Sequence, residues 1–439
     1  MFENIIGQGA VLQLKDDILN GRFAPSVLLY GPGDSGKSST ALELSRVLSC
    51  EENASWKCSC SSCESHRYLQ HDDLLILGKR SFSAEIKACS RAFLRNYSVL
   101  TAKILFFRSL RKLQIRFSPV FMEDDPKMSK LTASLQSFDE KLNELWMFNP
   151  EKYEKDSLEK LCNLLIEDVV DLEKEISANI PIGHIRSASW WCRLKPNGKK
   201  KTLIIENAEN MRDEARNSLL KLLEEPPLDV CIVLTAKRRE VIMPTILSRL
   251  RPYRFLKRDI ISEKEVIRLV FKDSSEEIPV VQGSLLGHYI ESFAVQSTEK
   301  MYPLAAWFIV SLARIIVISL KKAKINKTYD ILNSLGEFYA PIAETLNLER
   351  ALKSETIIKT IMVKTGNFED DSFSRFMKIT MDLISDITRQ NKDPKYIFIN
   401  DIFKKYIGEA VTAVDVLNIK ETSAMEAMIY NIKKAVKEG

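Results

Sequence analysis

A strand–loop–helix motif near the amino terminus constrains the fold of this chain more than any other feature. The apolar run Val27–Tyr30 predicts a buried strand, and the stretch Gly31–Ser38 that follows has the pattern GxxxxGK[ST] and leads into a helix. Its glycines let backbone N–H groups and the positive helix end point at phosphate oxygens. Lys37 would reach the β- and γ-phosphates, and the Ser38 hydroxyl would ligate Mg²⁺. The motif therefore predicts a site for ATP or ADP with Mg²⁺, formed by Gly31, Gly33, Asp34, Ser35, Gly36, Lys37, Ser38 and Ser39.

Composition narrows the class of protein. The chain has 439 residues, 45% hydrophobic and 28% charged, which indicates a globular protein of several domains. The net charge of +5 is spread thinly, and the densest basic run, 195–201, is interpreted as a solvated turn before a strand. The longest apolar run, 304–320, contains Arg314, which favours a buried core helix over a membrane span. We therefore expect a cytoplasmic protein with no membrane contact.

Four of the eight cysteines lie close together in the sequence. In a reducing compartment such a cluster indicates a metal site rather than disulfides. Four thiolates complete a tetrahedron around Zn²⁺ and leave no open position for catalysis. One C-x-C step is tighter than the usual C-x₂-C, so His66 remains an alternative to one of the cysteines. We predict a zinc site within residues 50–66, formed by Cys50, Cys58, Cys60 and Cys63.

The order of apolar patterns predicts an α/β fold with a doubly wound parallel sheet. Further strand-like runs occur at 74–77, 202–205, 230–234 and 253–255. Between about 83 and 176 the apolar residues recur at steps of three and four, which predicts antiparallel helices inserted into the α/β core. These helices are either a self-packed elaboration or an arm that grips a partner. From Ser262 onward the pattern is helical to the end.

Several separate stretches resemble the clamp-loader subunits of bacterial DNA polymerase III, which are AAA+ proteins that open a ring-shaped sliding clamp and place it on primed DNA. The resemblance covers roughly residues 1–80 and 180–300, and the insert at 83–176 is not part of the usual pattern. The chain is most similar to the delta-prime type, with the gamma/tau type second. The matching pieces are the lead-in 2–8, the phosphate loop, the cysteine cluster, and the stretches 207–211, 215–227 and 244–249.

The resemblance implies a domain organisation and a set of partners. It implies an AAA+ domain over residues 1–258, a small helical lid domain at 259–297, and an all-helical, collar-like oligomerisation domain at 298–439. The implied partners are gamma/tau-like and delta-like subunits of a hetero-oligomer, the sliding clamp, and primer-template DNA within the assembly.

The resemblance also implies roles for individual residues. Glu206 stands at the Walker B position, whose carboxylate coordinates Mg²⁺. Thr235 lies at or beside the sensor of the γ-phosphate. Arg249 matches the arginine finger that reaches across to the ATP of a neighbouring subunit. The cysteine cluster corresponds to the zinc site of the family, which spaces its last three cysteines as C-x₂-C-x₂-C.

One departure bears on catalysis. An active AAA+ site has adjacent Asp and Glu at the end of the Walker B strand, whereas this chain has Glu206-Asn207. An Asn side chain cannot take a proton from water, and loss of a general base typically costs about 10²–10⁴ in rate. We therefore expect a subunit of the polymerase complex with no polymerase site, little or no ATPase activity of its own, and Arg249 supplied in trans.

Two alternatives remain open at this point. A hydrolysis-competent gamma/tau-type ATPase is favoured by the intact phosphate loop but disfavoured by Asn207. A small-molecule kinase would also use such a loop, but the cysteine cluster and the long helical carboxyl-terminal region have no role in such an enzyme.

Overall fold

The computed structural model divides the chain into two compact units, Met1–Ala294 and Val295–Gly439. The described part of the predicted lid belongs to the first unit, and its separation as a domain of its own stays a prediction. The structure describes residues 1–122, 128–149, 155–177, 179–273, 284–293, 298–323, 329–346, 348, 353–365, 368, 372–390, 394–415 and 419–438.

A five-stranded sheet forms the centre of the first unit, in the order β2-β3-β4-β1-β5. Every neighbouring pair is parallel. β3 and β4 are buried along their whole length, as expected for apolar strands covered by helices on both faces. The predicted fold class, a doubly wound parallel α/β sheet of the AAA+ type, is confirmed. The strands are β1 (Ser26–Tyr30), β2 (Leu74–Leu77), β3 (Lys201–Ile205), β4 (Val230–Ala236) and β5 (Arg251–Arg254).

Helices surround this sheet, and the loops at its carboxyl edge converge. Ile205 pairs with Leu234 and Tyr30 with Ala236, so the residues that follow β1 and β3 meet at one edge, beside the end of β4. The helices of the first unit are α1 (Ala10–Leu19), α2 (Lys37–Ser49), α3 (Ser61–Arg67), α4 (Ser83–Arg95), α5 (Leu100–Gln114), α6 (Pro119–Met122), α7 (Met128–Met147), α8 (Lys155–Glu175), α9 (Ile182–Arg193), α10 (Asp213–Glu224), α11 (Pro244–Leu247), α12 (Ile260–Val270) and α13 (Leu285–Glu291). Short 3-10 turns occur at Ile115–Phe117, Ala208–Asn210 and Arg239–Val241.

The helical insertion predicted at 83–176 is present as α4 to α8. Its apolar seam is buried in the same hydrophobic core as the sheet, which favours the self-packed interpretation over a partner-gripping arm. Glu173 connects α8 to the start of the insertion. Its carboxylate accepts hydrogen bonds from the backbone N–H groups of Phe82 (2.7 Å) and Ser83 (3.0 Å). A carboxylate at the amino end of α4 satisfies otherwise unpaired donors and is favoured by the helix dipole.

In the part of the second unit that the structure describes, all the regular elements are helices. In α14 (Thr298–Ala323), the segment Met301–Lys321 is long and apolar enough to cross a membrane, but 78% of its most apolar stretch is buried inside the protein. Trp307 and Phe308 belong to the core of the unit, while Arg314 is exposed. The helix therefore has the character of the buried core helix that the sequence predicts. The helices of the second unit are α14 (Thr298–Ala323), α15 (Tyr329–Glu344), α16 (Ser354–Thr365), α17 (Ser372–Gln390), α18 (Pro394–Asp415) and α19 (Glu421–Glu438).

Candidate functional site

The loop between β1 and α2 has the backbone shape of a phosphate site. Gly31 has φ 152°, and a Cβ there would lie 2.2 Å from the carbonyl oxygen of Phe255. Gly36 has φ 91°, and a Cβ there would lie 2.5 Å from Nη2 of Arg258. Both positions therefore require glycine. The positive end of α2 begins directly after Gly36, so the predicted loop forms an anion-binding turn at a helix amino terminus.

Two cations hold this loop through its own carbonyl groups. Lys37 donates from Nζ to the carbonyl oxygen of Gly31 at 2.8 Å, and burial lowers the pKa of Lys37 to about 8. Arg258, which the sequence did not single out, donates from Nε to the carbonyl oxygen of Ile6 at 2.9 Å and from Nη1 to that of Asp34. Arg258 thus joins the lead-in segment to the phosphate loop.

The remaining predicted loop residues lie around the same turn. Ser35 is buried, and its hydroxyl donates to the carbonyl oxygen of Pro32 at 2.8 Å. The carboxylate of Asp34 approaches the start of α13, because a Cβ on Gly287 would lie 2.6 Å from its Oδ2. Gly33 has open space where a side chain would be, and Ser39 is exposed on the first turn of α2.

Glu206, the predicted Walker B carboxylate, is paired with cations of the protein itself. It follows β3 and is 5% exposed. Its Oε2 accepts from Nη2 of Arg116 in the 3-10 turn after α5 and lies 3.7 Å from Nε of Arg80. Burial alone would raise the pKa of Glu206, but Arg80, Arg116 and a hydrogen bond from Ser38 hold the pKa below its usual value. Glu206 is therefore an ionised carboxylate whose charge is already balanced.

The two arginines belong to a larger charged cluster. Arg80 also pairs with Glu85, whose other carboxylate oxygen is 2.5 Å from Nζ of Lys112. The guanidinium groups of Arg80 and Arg116 lie 5.1 and 5.4 Å from the ring centroid of Phe82. The contact between each guanidinium and the ring is favourable.

The space beside Ser38 and Glu206 does not fit the predicted Mg²⁺. The cavity that they line together with Arg116 measures about 10 Å³, roughly the volume that one water needs. Mg²⁺ requires octahedral oxygen ligands at roughly 2.0–2.1 Å and usually keeps several waters. Two guanidinium groups on the one carboxylate also repel a divalent cation. The described residues therefore hold Glu206 in an arrangement unsuited to a metal ligand.

Asn207 forms hydrogen bonds to neighbouring segments at the carboxyl edge of the sheet. It adopts a left-handed conformation (φ 51°, ψ 56°), which Asn tolerates better than most residues. Its backbone N–H donates to Oγ1 of Thr235 at 3.1 Å, and its Nδ2 donates to the carbonyl oxygen of Lys79 at 2.8 Å. Asn207 thereby ties the loops after β2 and β3 to β4. Thr235 of β4 lies beside the end of β3, and its predicted role as a sensor stays a prediction.

Arg249, the predicted arginine finger, lies on the surface of the first unit after α11. Its Nη2 is 2.7 Å from Oε1 of Glu224, and its Nη1 donates to the carbonyl oxygen of Thr245. The two charged side chains are 34% and 50% exposed. Exposed ion pairs contribute only about 0–1 kcal/mol, so this guanidinium can exchange Glu224 for another anion at little cost. Its action in trans stays a prediction.

The four clustered cysteines are arranged like a tetrahedral zinc site. Their Sγ atoms all lie within 4.8 Å of one another and are buried. Sγ of Cys50 is 3.6 Å from that of Cys58 and 3.9 Å from that of Cys60. A tetrahedron with Zn–S distances of about 2.3 Å has S···S edges of about 3.8 Å, so the set fits Zn²⁺. Cys58 belongs to this set, and the alternative ligand His66 instead stacks on His71.

Arg46 of α2 is a buried cation that contacts the cysteine cluster. It is 2% exposed and forms two hydrogen bonds to the carboxylate of Glu43. It also donates to Sγ of Cys63 at 2.9 Å and to the carbonyl oxygens of Ala54 and Ser55. A buried cation of this kind offsets the negative charge of zinc-bound thiolates, as outer-shell partners of metal ligands commonly do.

Sequence patterns did not single out the arginines that organise the site. Arg46 stands three residues after Glu43 on a helix, a spacing that permits a pair but does not show that both are buried. Arg116 is a single cation between Ile115 and Phe117, where no motif suggests that it meets Glu206.

One protein-family model matches more than half of the chain. The model of the family described as "DNA polymerase III, delta subunit" matches residues 7–114 and 133–259, more than half of the chain. The expectation that the insert lies outside the family pattern is therefore wrong for most of its length. Within the insert the unmatched stretch is 115–132, and the match ends at 259 rather than near 300.

Two known proteins show more limited similarity. An uncharacterized protein from Mycoplasma pneumoniae is 41% identical over 59 residues, which are 13% of this chain and 23% of that protein's length. A solved DNA polymerase III gamma subunit-related protein from Thermotoga maritima is 22% identical, with a TM-score of 0.28, over 58% of this chain and 80% of that chain.

Proposed function

The chain belongs to the DNA polymerase III delta-subunit family, and on that basis we propose that it acts in DNA replication as a clamp-loader subunit of the delta-prime type. In this role it binds ATP or ADP at the phosphate loop and assembles with gamma/tau-like and delta-like subunits in the cytoplasm. The assembly places the sliding clamp on primer-template DNA. Zn²⁺, held by Cys50, Cys58, Cys60 and Cys63, cross-links the segment between α2 and α3.

The observation that carries this proposal is the pairing of Glu206 with Arg116. At the carboxyl end of β3 in this structure, Glu206 is buried and ion-paired, and the amide of Asn207 is bonded to a backbone carbonyl. Neither side chain is in a position to activate a water, so turnover by the chain alone would lack general-base catalysis, which is worth about 10²–10⁴ in rate. A subunit of this kind contributes position and charge to its neighbours rather than hydrolysis.

Arg249 is the group that we propose to act on a neighbour. Its exposure and its weak pairing with Glu224 leave the guanidinium accessible at the surface. An arginine finger places positive charge where the transferring phosphoryl group develops negative charge, and it is worth about 10³–10⁵ in rate in some NTPases. The motor subunit next to Arg249 therefore depends on this chain for full activity.

The test is to reconstitute the full chain with its cognate motor and delta-like subunits, clamp and primed DNA, and to replace Arg249 by Ala. We expect the DNA-stimulated ATPase rate of the assembly to fall at least tenfold while the subunits still copurify. Arg22→Ala is the matched control, because Arg22 forms a similar exposed pair with Asp16 but precedes β1 at the opposite edge of the sheet. Unchanged ATPase with Arg249→Ala would remove the finger assignment.

The intact phosphate loop keeps a gamma/tau-type ATPase as the second candidate. The isolated chain distinguishes the two, since the proposed role predicts turnover near background and the alternative predicts turnover like that of other AAA+ motors. A Lys37→Ala variant serves as the background, because it lacks the cation that would reach the phosphates.

A further inference from the structure

The charged cluster around Glu206 has features that its contribution to the fold does not explain. Arg116 is 6% exposed, and among the described residues only its Nη2 has a hydrogen-bond partner, the carboxylate of Glu206. Its Nε and Nη1 are buried and make no hydrogen bond to the residues that the structure describes. Unpaired buried donors are costly, so a guanidinium selected only for stability would be expected to satisfy them.

Arg116 lies beside the two side chains that would hold a divalent cation, because it lines the same cavity as Ser38 and Glu206. The Walker B carboxylate and the Ser38 hydroxyl would bind the metal jointly, but here the two line a cavity of only about 10 Å³ together with Arg116, which neutralises Glu206. Arg80 adds a second positive charge 3.7 Å from the same carboxylate oxygen. Charge balance at Glu206 is therefore reached without a metal.

Arg116 comes from the stretch of the insert that the family pattern does not include. The family match stops at residue 114 and resumes at 133, and Arg116 lies between these limits in the turn Ile115–Phe117. This turn packs against β2, whose neighbour β3 leads to Glu206. The cation therefore lies outside the residues that the family model matches.

We propose that the Arg116 guanidinium replaces the divalent cation at this phosphate loop, so that the chain binds nucleoside di- or triphosphates in their metal-free form. The proposal deepens the proposed function and rests on its nucleotide site. Lys37 and the amino end of α2 attract the phosphates, and Arg116 prevents Glu206 from repelling them, a task that Mg²⁺ performs where a Walker B carboxylate is free.

The test measures ADP affinity of the full chain by calorimetry, in excess EDTA and in excess Mg²⁺. For the wild type we expect excess Mg²⁺ to weaken the apparent ADP affinity, because Mg²⁺ sequesters the metal-free nucleotide in solution. For Arg116→Gln, which frees the carboxylate of Glu206, we expect Mg²⁺ to tighten binding by about tenfold or more. Lys141→Gln is the control, because Lys141 pairs with Asp168 elsewhere in the insert, and it should behave like the wild type.

Electron paramagnetic resonance of Mn²⁺ gives a second readout. With ADP present, the wild type should hold no ordered Mn²⁺, and Arg116→Gln should hold one per chain. Mg²⁺-dependent ADP binding by the wild type would overturn the proposal, and so would ordered Mn²⁺ in the wild type. Failure of the wild type to bind ADP in EDTA would also overturn the proposal of metal-free binding. That result would leave the proposed role of Arg249 in the assembly unaffected. If Arg116→Gln does not fold, Arg116→Lys, which keeps the positive charge, must still bind ADP more weakly in Mg²⁺ than in EDTA.

Discussion

The Arg116–Glu206 pair should be a strongly coupled structural element. Both side chains are at most 7% exposed, so Arg116→Met leaves a carboxylate in a poorly solvated position. Removal of one partner from a buried pair typically costs about 3–5 kcal/mol. Arg80 remains 3.7 Å from the same carboxylate and offsets part of this loss, so we expect a destabilisation of about 2–3 kcal/mol. The double variant Arg116→Met, Glu206→Gln removes both charges and should lose only about 1 kcal/mol.

Urea unfolding followed by tryptophan fluorescence measures this coupling. Four of the five tryptophans lie in the first unit, so the signal reports mainly on the unit that contains the pair. We expect a coupling energy of at least about 1–2 kcal/mol between the two substitutions, to which any loss caused by Glu206→Gln alone is added. Losses that simply add, to within about 0.5 kcal/mol, would refute the inference that Arg116 and Glu206 act as one element.

The pH dependence of the free energy of unfolding is an independent test of the Arg116–Glu206 pair. The pKa of Glu206 is lower in the folded protein than in the unfolded chain, so the unfolded state binds the proton more readily. The stabilisation is therefore fully present above the unfolded pKa and is lost as the pH falls towards the folded pKa. Glu206→Gln should flatten this acid limb, whereas an unchanged limb would show that Glu206 is not ionised in a favourable pair.

Two further predictions concern other parts of the first unit. The purified chain should contain bound zinc by mass spectrometry. The Cys58→Ser variant should lose the zinc and have a lower Tm. The control variant Cys162→Ser, whose cysteine is buried in the insert, should keep the zinc. Full zinc content in Cys58→Ser would contradict the proposed ligand set. Glu173→Gln should lower the free energy of unfolding by about 1–2 kcal/mol, because the start of α4 loses a charged acceptor. Exposed Glu159→Gln on the same helix is the control, and equal effects of the two would argue against the cap.

The sequence predicted the sheet and the phosphate loop well because their signals are local. Apolar runs of β-branched and leucine residues define buried strands, and the glycines of the loop are fixed by close approaches such as that of Gly31 to the Phe255 carbonyl. The cysteine spacing likewise indicated the metal site, although only the structure places Cys58 rather than His66 in the set.

The electrostatic contacts of the site could not be predicted from sequence because they join distant segments. Arg116 and Glu206 are separated by 90 residues, and Arg258 reaches the phosphate loop from 224 residues away. Pairing of this kind depends on how the insert packs over β2, and no periodicity or motif encodes that packing.

The positions of three arginines agree with the proposed subunit that serves its neighbour rather than hydrolysing its own nucleotide. Inside the unit, Arg116 neutralises the carboxylate that a motor would use for its metal, and Arg258 holds the loop in one shape. On the surface, Arg249 is held only by an exposed pair with Glu224. A subunit that hydrolysed its own nucleotide would need Glu206 free and Arg116 absent. A subunit that serves its neighbour needs a fixed nucleotide site and an accessible guanidinium, so removal of Arg116 should change metal dependence while removal of Arg249 changes only the neighbour's rate.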